Sequence, residues 1–371
     1  MRFTALTVEL QKVLGNVGGV IPSRSTLPIL ENFLFEVSNN HLQITATDLD
    51  TSMSMSLPVK DTESGTIAVP AKRLAETIRS LPNTEIQFTA QGDKNKILLK
   101  TENGEYRLTG ESSENYPTVP KFKANEELKI KAETLKRLIM KTSFAVSSDE
   151  LRPAMMGVLF QIKKNEIRAV ATDGHRLVRV INSSFSSGIG DREVIVPAKA
   201  LNLVLKSFED AESSVSFSEN HAMFTTGTTR LVSRMIEEKF PNYESVIPLD
   251  NEKELLVDKN QLLASVRRTA LYASSTTHQV RFALKKGSLA VSAEDIDFGS
   301  EARETLACEY SADPMEIGFN SAYMLDMLTH IDTDEVQLML SSPTRASILK
   351  PTSQKEGENL LMLVMPVRLN D

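Results

Sequence analysis

Leu42-Gln43-Ile44-Thr45-Ala46-Thr47-Asp48, Ile167-Arg168-Ala169-Val170-Ala171-Thr172-Asp173 and Leu289-Ala290-Val291-Ser292-Ala293-Glu294-Asp295 are one phrase written three times. Each is an apolar, strand-like run ending in an acidic loop residue, and the three aspartates stand 125 and 122 residues apart. A second landmark keeps the same spacing. Val69-Pro70-Ala71-Lys72 returns 127 residues later as Val196-Pro197-Ala198-Lys199, with a weaker third copy read at Gly318-Phe319-Asn320-Ser321. Three copies of about 124 residues fill the 371-residue chain, and such internal repetition outranks other fold signals.

A chain this long exceeds one ordinary core, and a unit of about 120 residues is near the usual domain size. The expected domains are therefore 1–121, 122–248 and 249–371. Composition is that of a globular protein, with 41% hydrophobic and 25% charged residues, and no run reaches the eighteen or so apolar residues of a membrane span. The N-terminus, Met1-Arg2-Phe3-Thr4, enters a strand-like pattern without a signal-peptide core, so a cytoplasmic location is expected. Cys308 is the single cysteine, which suits a reducing compartment, and no nucleophile signature surrounds it.

Each repeat reads as helix, short strands, helix, short strands. First helices are expected at 7–17, 132–143 and 259–272, where apolar residues recur at three- and four-residue spacing. Second helices are expected at 71–81, 198–208 and 321–331, two of them entered through Pro70 and Pro197. Between them lie β-branched and aromatic runs such as 32–37, 85–90, 96–101 and 214–217. Helices and strands mix without regular alternation, so the class is α+β, with antiparallel sheets packed by two helices per unit. Linkers are expected at Pro117-Thr118-Val119-Pro120 and Pro248-Leu249-Asp250-Asn251.

The net charge of −7 argues against a nucleic-acid partner until its distribution is read. The six expected helices carry 0 on 7–17, +2 on each of 71–81, 132–143 and 198–208, +3 on 259–272 and −1 on 321–331. They total +8, which leaves −15 elsewhere. Basic helices on an acidic protein suit a polyanion held without sequence preference; equally, they can be solvated helix faces. Geometry adds a constraint. Six helices at about 9 Å spacing close a ring roughly 17 Å across, almost without a hole, whereas twelve from two chains leave an opening of roughly 24 Å. A duplex would need the dimer.

Ala171-Thr172-Asp173-Gly174-His175-Arg176-Leu177 is the most conspicuous local string, and the Gly-His-Arg-Leu part is missing from the other two copies. Read as chemistry, His175 beside Asp173 is a candidate general base and Thr172 a candidate nucleophile. Against that reading, the other histidines, His41, His221, His278 and His330, are isolated, with no metal-ligand spacing. Gly18-Gly19 is too little for a phosphate loop, so no cofactor and no metal are expected.

This string, with Thr26-Leu27-Pro28-Ile29-Leu30, Phe240-Pro241-Asn242-Tyr243 and Val364-Met365-Pro366-Val367-Arg368-Leu369, resembles the bacterial DNA polymerase III beta subunit family, the sliding clamps. The resemblance covers the whole chain in order. It implies three tandem DNA-clamp domains per chain and a head-to-tail homodimer closed as a ring around double-stranded DNA, helices inside and sheets outside. The implied role is non-catalytic: tethering the replicative DNA polymerase, loaded by a clamp loader complex, and serving other polymerases and repair proteins through short peptide motifs.

The resemblance also carries residues. It implies a partner-peptide pocket of Met155, Thr172, Gly174, His175, Arg176, Leu177, Pro241 and Val246 with Asn320, Tyr323, Ser347, Val364, Met365, Pro366, Val367 and Arg368. An apolar cleft with a few polar groups is a common binding site. Pro366 is expected to end ladder pairing and release the last residues of the chain into a groove. DNA contacts are implied at Arg24, Arg73, Arg79, Arg152 and Lys199, and a dimer interface at Tyr106 and Leu108 against Leu271 and Tyr272. Two departures stand out: Pro153 and Ala154 replace two tyrosines of some members, and Ser245 stands where some members have an arginine.

Overall fold

The computed structural model describes residues 1–91, 94–118, 122, 126–209 and 212–369. Among these residues six α-helices punctuate the strands: α1 (Thr7–Val17), α2 (Ala71–Ser80), α3 (Ala132–Thr142), α4 (Ala198–Ser207), α5 (Lys259–Thr269) and α6 (Ser321–Thr329). Each repeat is built from two halves of the same design, a leading strand, a helix and a three-strand meander. The leading strands are exchanged. In the first repeat Arg2–Leu6 pairs with Glu85–Gln91 of the second half, while Gly65–Pro70 pairs with Asn32–Ser38 of the first. The middle repeat does the same with Glu126–Lys131 on Glu212–Phe217 and Arg192–Pro197 on Gly157–Lys163. The last repeats it with Lys253–Asp258 on Glu335–Leu340 and Met315–Asn320 on Gln279–Lys285. Three isolated bridges, Ala68↔Glu111, Ile195↔Ile236 and Gly318↔Val367, close the three repeats at equivalent places.

The chain forms two compact units that share the middle repeat: Met1–Lys136 with Lys199–Met235, and Arg137–Ala198 with Ile236–Asp371. In the first unit a five-stranded sheet accompanies an eight-stranded one, joined across repeats where Thr229–Arg234 pairs with Thr51–Pro58. In the second, a nine-stranded sheet is joined where Arg176–Asn182 pairs with Glu358–Val364, and a four-stranded sheet ends at Ser300–Ala307. Every pairing among the described strands is antiparallel, as short meanders require. No helix among the described residues is long and apolar enough to cross a membrane.

Alternation places the core. Ile86, Phe88 and Ala90 of Glu85–Gln91 point inward, and α2 buries Ala71, Leu74 and Ile78 while presenting Lys72, Arg73 and Arg79. Phe3 stacks on Phe88 at 4.8 Å, and Phe35 of the other sheet meets Phe88 at 5.5 Å. Such rings dominate a core; burying one contributes about 2–3 kcal/mol.

Helix positions agree with the sequence reading within two residues at all but one end. The 259–272 helix ends as α at Thr269, and Ala270–Tyr272 form a 3₁₀ turn. The third copy of the proline landmark is corrected by one residue. Asn32 faces Pro70, Gly157 faces Pro197 and Gln279 faces Asn320, so Asn320, not Phe319, takes the proline position. There the Asn320 side chain caps α6, accepting from the backbone N–H groups of Ala322 at 2.9 Å and Tyr323 at 3.3 Å. A side-chain cap and a pre-set proline φ are two solutions for one helix entry, which is why the string changed. Val119 and Pro120 of the first expected linker, and the boundary at Lys121, lie outside the described residues. The second linker is pinned: Asn251 Nδ2 donates to the Met339 and Ala346 carbonyls at 3.0 and 2.9 Å.

Candidate functional site

The thrice-repeated aspartate has one structural job. Oδ1 of Asp48 accepts from the backbone N–H groups of Asp50 and Thr51, Oδ1 of Asp173 from His175 and Arg176, and Oδ1 of Asp295 from Asp297 and Phe298. This is the Asx turn, in which a short carboxylate closes the loop that the backbone cannot close alone. Thr47 and Thr172 add a second tie: Thr172 Oγ1 donates to the Arg176 carbonyl at 2.7 Å and accepts from Gly174 N–H at 3.1 Å. In the first two copies the residue after the aspartate takes a positive φ, +84° at Leu49 and +91° at Gly174.

These bonds remove the geometry a catalytic pair would need. Asp173 meets His175 through the backbone amide, and its Oδ2 accepts from Arg176 Nε at 3.0 Å, while the Thr172 hydroxyl is committed to the turn. Among the described residues no group of three or more His, Cys, Asp and Glu is placed to hold a metal ion.

In the second unit the unmatched Gly-His-Arg-Leu is converted into a built surface. The Arg176 side chain, buried to 8% exposure, extends Nε to Asp173, Nη1 to Asp326 of α6 at 2.6 Å and Nη2 to the Phe144 carbonyl at 2.7 Å. Its guanidinium lies 4.6 Å from the Tyr323 ring centroid and 5.5 Å from that of Phe144. Arg176 therefore organises the wall rather than offering an open donor. His175 stacks near Tyr323 at 6.3 Å, and burial pushes the Tyr323 phenol up. A Cβ on Gly174 would come within 2.8 Å of Arg152 Nη1, so glycine lets that guanidinium lie over the turn.

The floor is a cluster of Ala154, Leu159, Val170, Leu177, Ile195, Phe240, Tyr243 and Leu363, with Ile236, Ile247 and Ala346 against it. Five residues of the expected pocket adjoin the cluster, or a residue packed against it, in sequence: Met155 follows Ala154, Pro241 follows Phe240, Val246 precedes Ile247, Ser347 follows Ala346 and Val364 follows Leu363. Phe240 and Tyr243 meet edge-on at 6.5 Å, and Tyr243 Oη donates to Gln161 at 2.7 Å, which explains the Phe-Pro-Asn-Tyr string as an anchor. Burial raises the Tyr243 pKa. Val246 and Met365 stay exposed, at 55% and 41%, while Ser347, Val364 and Thr172 are buried. Ser245 Oγ donates to the Asn242 carbonyl at 2.8 Å. Met365 N–H donates to the His175 carbonyl at 2.8 Å, and beyond Pro366 the chain leaves that ladder as expected, but it is not released into a groove: Val367 N–H donates to the Gly318 carbonyl at 2.8 Å and pairs the end of the chain with the strand before α6.

Part of the helix charge is neutralised inside the protein. In the second unit Arg137 of α3 binds Glu358 at 2.5 Å and Asp332 at 2.6 Å, and Lys141, almost fully buried, binds Asp332 at 2.6 Å and the His330 carbonyl. Burial lowers the Lys141 pKa. For Asp332 burial raises it, but its two cationic partners prevail and take it down to about 2. In the first unit Lys136 donates to the Phe208 carbonyl at 2.8 Å, and Lys199 to Asp48 and the Val20 carbonyl. These cations are structural, so the helix total overstates what faces outward. Lys72, Arg73, Arg79, Lys206 and Arg24 are exposed, with no ion-pair partner among the described residues. Arg152, in the second unit, pairs with Asp149 at 2.8 Å. Of the expected interface residues, Leu271 is 82% exposed, Tyr106 and Tyr272 are partly exposed, and Leu108 is half-buried. Phe144, Asp326 and Asp149 had no sequence signal beyond their residue type.

Comparison with known proteins agrees with this architecture. The DNA polymerase III beta subunit family matches in three consecutive pieces, its N-terminal domain over residues 1–120, its central domain over 129–242 and its C-terminal domain over 244–368. The beta sliding clamp of Pseudomonas putida is 32% identical over 372 residues, covering 100% of both chains, and that of Pseudomonas aeruginosa is also 32% identical. Among solved structures, a sliding clamp from Bartonella birtlesii bound to griselimycin superposes with a TM-score of 0.93 at 30% identity, covering 100% of both chains.

Proposed function

The chain belongs to the DNA polymerase III beta subunit family, the bacterial sliding clamps, and from that premise we propose how its surfaces divide the work. It is a DNA sliding clamp, a non-catalytic factor that makes the replicative polymerase processive. The finer reading is a cytoplasmic head-to-tail homodimer whose three clamp domains per chain, bounded at 1–121, 122–248 and 249–371, close a ring on duplex DNA. The observation that carries it is a pattern of strand ends. Of the six meanders, four end in strands paired across repeats, whereas Gly104–Thr109 and Ser300–Ala307 have no outer ladder partner among the described residues. Two complementary open edges on one chain are the requirement for a closed heterologous ring.

Exposed Lys72, Arg73, Arg79 and Arg24 supply weak phosphate contacts that permit sliding, with Arg152 and Lys199 contributing once released from their carboxylates. The cluster-floored surface around His175, Tyr323, Val246 and Met365 receives the short peptide motifs of the polymerase, the clamp loader and other polymerases and repair proteins. The test is topological. Clamp loaded on closed circular DNA is retained at salt concentrations that strip it from linear DNA; equal loss from both would overturn the ring.

A further inference from the structure

We infer that an alternating charge ladder on the two open edges, Glu105 facing Arg303 and Arg107 facing Glu301 across the seam, sets the register and the self-selectivity of the pairing between two copies of this chain. The inference rests on the proposed ring and goes further by naming the contacts.

The register follows from the two seams inside the chain. The closing bridges at Glu111, Ile236 and Val367 make Tyr106, Leu231 and Met362 equivalent, five residues before each. Hairpin registers Thr47↔Ser52, Thr172↔Leu177 and Glu294↔Glu301 make Met53, Val178 and Ala302 equivalent, one residue after each second partner. Leu231 faces Met53 at one internal seam, and Met362 faces Val178 at the other. Both seams therefore place Tyr106 of one copy opposite Ala302 of the next. Antiparallel pairing then sets Arg107 opposite Glu301 and Glu105 opposite Arg303.

Side-chain direction checks this independently. Tyr106 and Leu108 lie beside buried Leu99 and Ile97, on the helix-facing side of their sheet. Ala302 and Glu304 lie beside Ala293 and Val291, and Glu304 reaches Arg268 of α5 at 2.6 Å, which is again the helix side. A register displaced by one residue would set inward against outward side chains. In the assigned register all four ladder charges share the outer face, with opposite signs directly across, the favourable arrangement for cross-strand pairs. Within one chain Glu105 is already held by Lys100 at 3.0 Å and Arg107 at 2.7 Å, so the partner's arginine extends an existing network. The internal seams carry no such ladder: Leu231, Val232 and Ser233 face Met53, Ser52 and Thr51.

Charge reversal tests the assignment, read as dimer dissociation by sedimentation at low salt. Glu105→Arg or Arg303→Glu alone weakens the dimer roughly tenfold, because a head-to-tail ring repeats the mismatch at both seams. Mixing the two variants restores parental affinity, since one seam then carries the reversed pair and the other the native pair; the double variant also recovers. Single variants that dimerise like the parent, or a mixture that fails to recover, would overturn the register while leaving the ring intact. A parent chain that is monomeric at micromolar concentration would overturn both, and the unmixed parent reports that separately.

Discussion

The two seams inside the chain share a frame and differ in what they carry. At each, the last strand of a repeat pairs with the end of the preceding repeat's first meander, and one more backbone bond extends the ladder: Arg234 N–H to Asp50 and Met365 N–H to His175, both 2.8 Å. At each, an Asx turn presents the same loop. In the first unit Lys199 reaches from α4 to Asp48 and closes the place. In the second unit the equivalent region of α6 offers Tyr323, and the loop offers Gly174, His175 and a buried Arg176. The strand seam holds repeats together; the few side chains above it decide whether the spot is latched or open.

Arg176→Ala is the largest blow to this contrast. It leaves Asp173 and Asp326 without their shared cation, and breaking such a buried pair costs about 3–5 kcal/mol in chemical denaturation. Lys199→Ala, at a half-exposed pair, costs under about 1 kcal/mol. Equal losses would mean the two seams are not differently built. Next in size, Gly174→Ala costs about 1–2 kcal/mol because its φ of +91° is left-handed, and it displaces Arg152. Leu49→Gly, which relieves φ +84° in the equivalent turn, gains stability in the same assay.

The smallest effect is pH dependence. His330 stacks on Phe144 at 4.0 Å and meets the Asp326 carbonyl; Lys141, Arg176 and the Asp326 carboxylate are its charged neighbours, and Ser207 stands in its place in α4. Burial lowers its pKa below 6.5, so the unfolded chain binds the proton first and the folded state loses stability as pH falls below about 6.5. His330→Asn should flatten that part of the stability profile. An unchanged profile would remove His330 from the second seam's support.

Much of this was legible because the determinants are local. An Asx turn needs a short acid at one position, so three turns wrote three aspartates, and helix faces declared themselves by spacing alone. What escaped depends on distant partners. Three of the basic residues counted on α3 are engaged inside the protein, two of them by Asp332 and Glu358, some 190 to 220 residues away. The proline landmark slipped by one residue because Asn320 performs a helix entry by hydrogen bonding that proline performs by geometry. The exchanged leading strands, too, are a matter of pairing rather than pattern.

The most direct test of the contrast between latched and open seams is to titrate the chain with the clamp-binding peptide of its replicative polymerase and follow backbone amide shifts. The account predicts one peptide per chain, with shifts at His175, Tyr323, Val246 and Met365 and none around Asp48 and Lys199. Shifts centred on Asp48 and Lys199, or saturation without change at His175 and Tyr323, would contradict it.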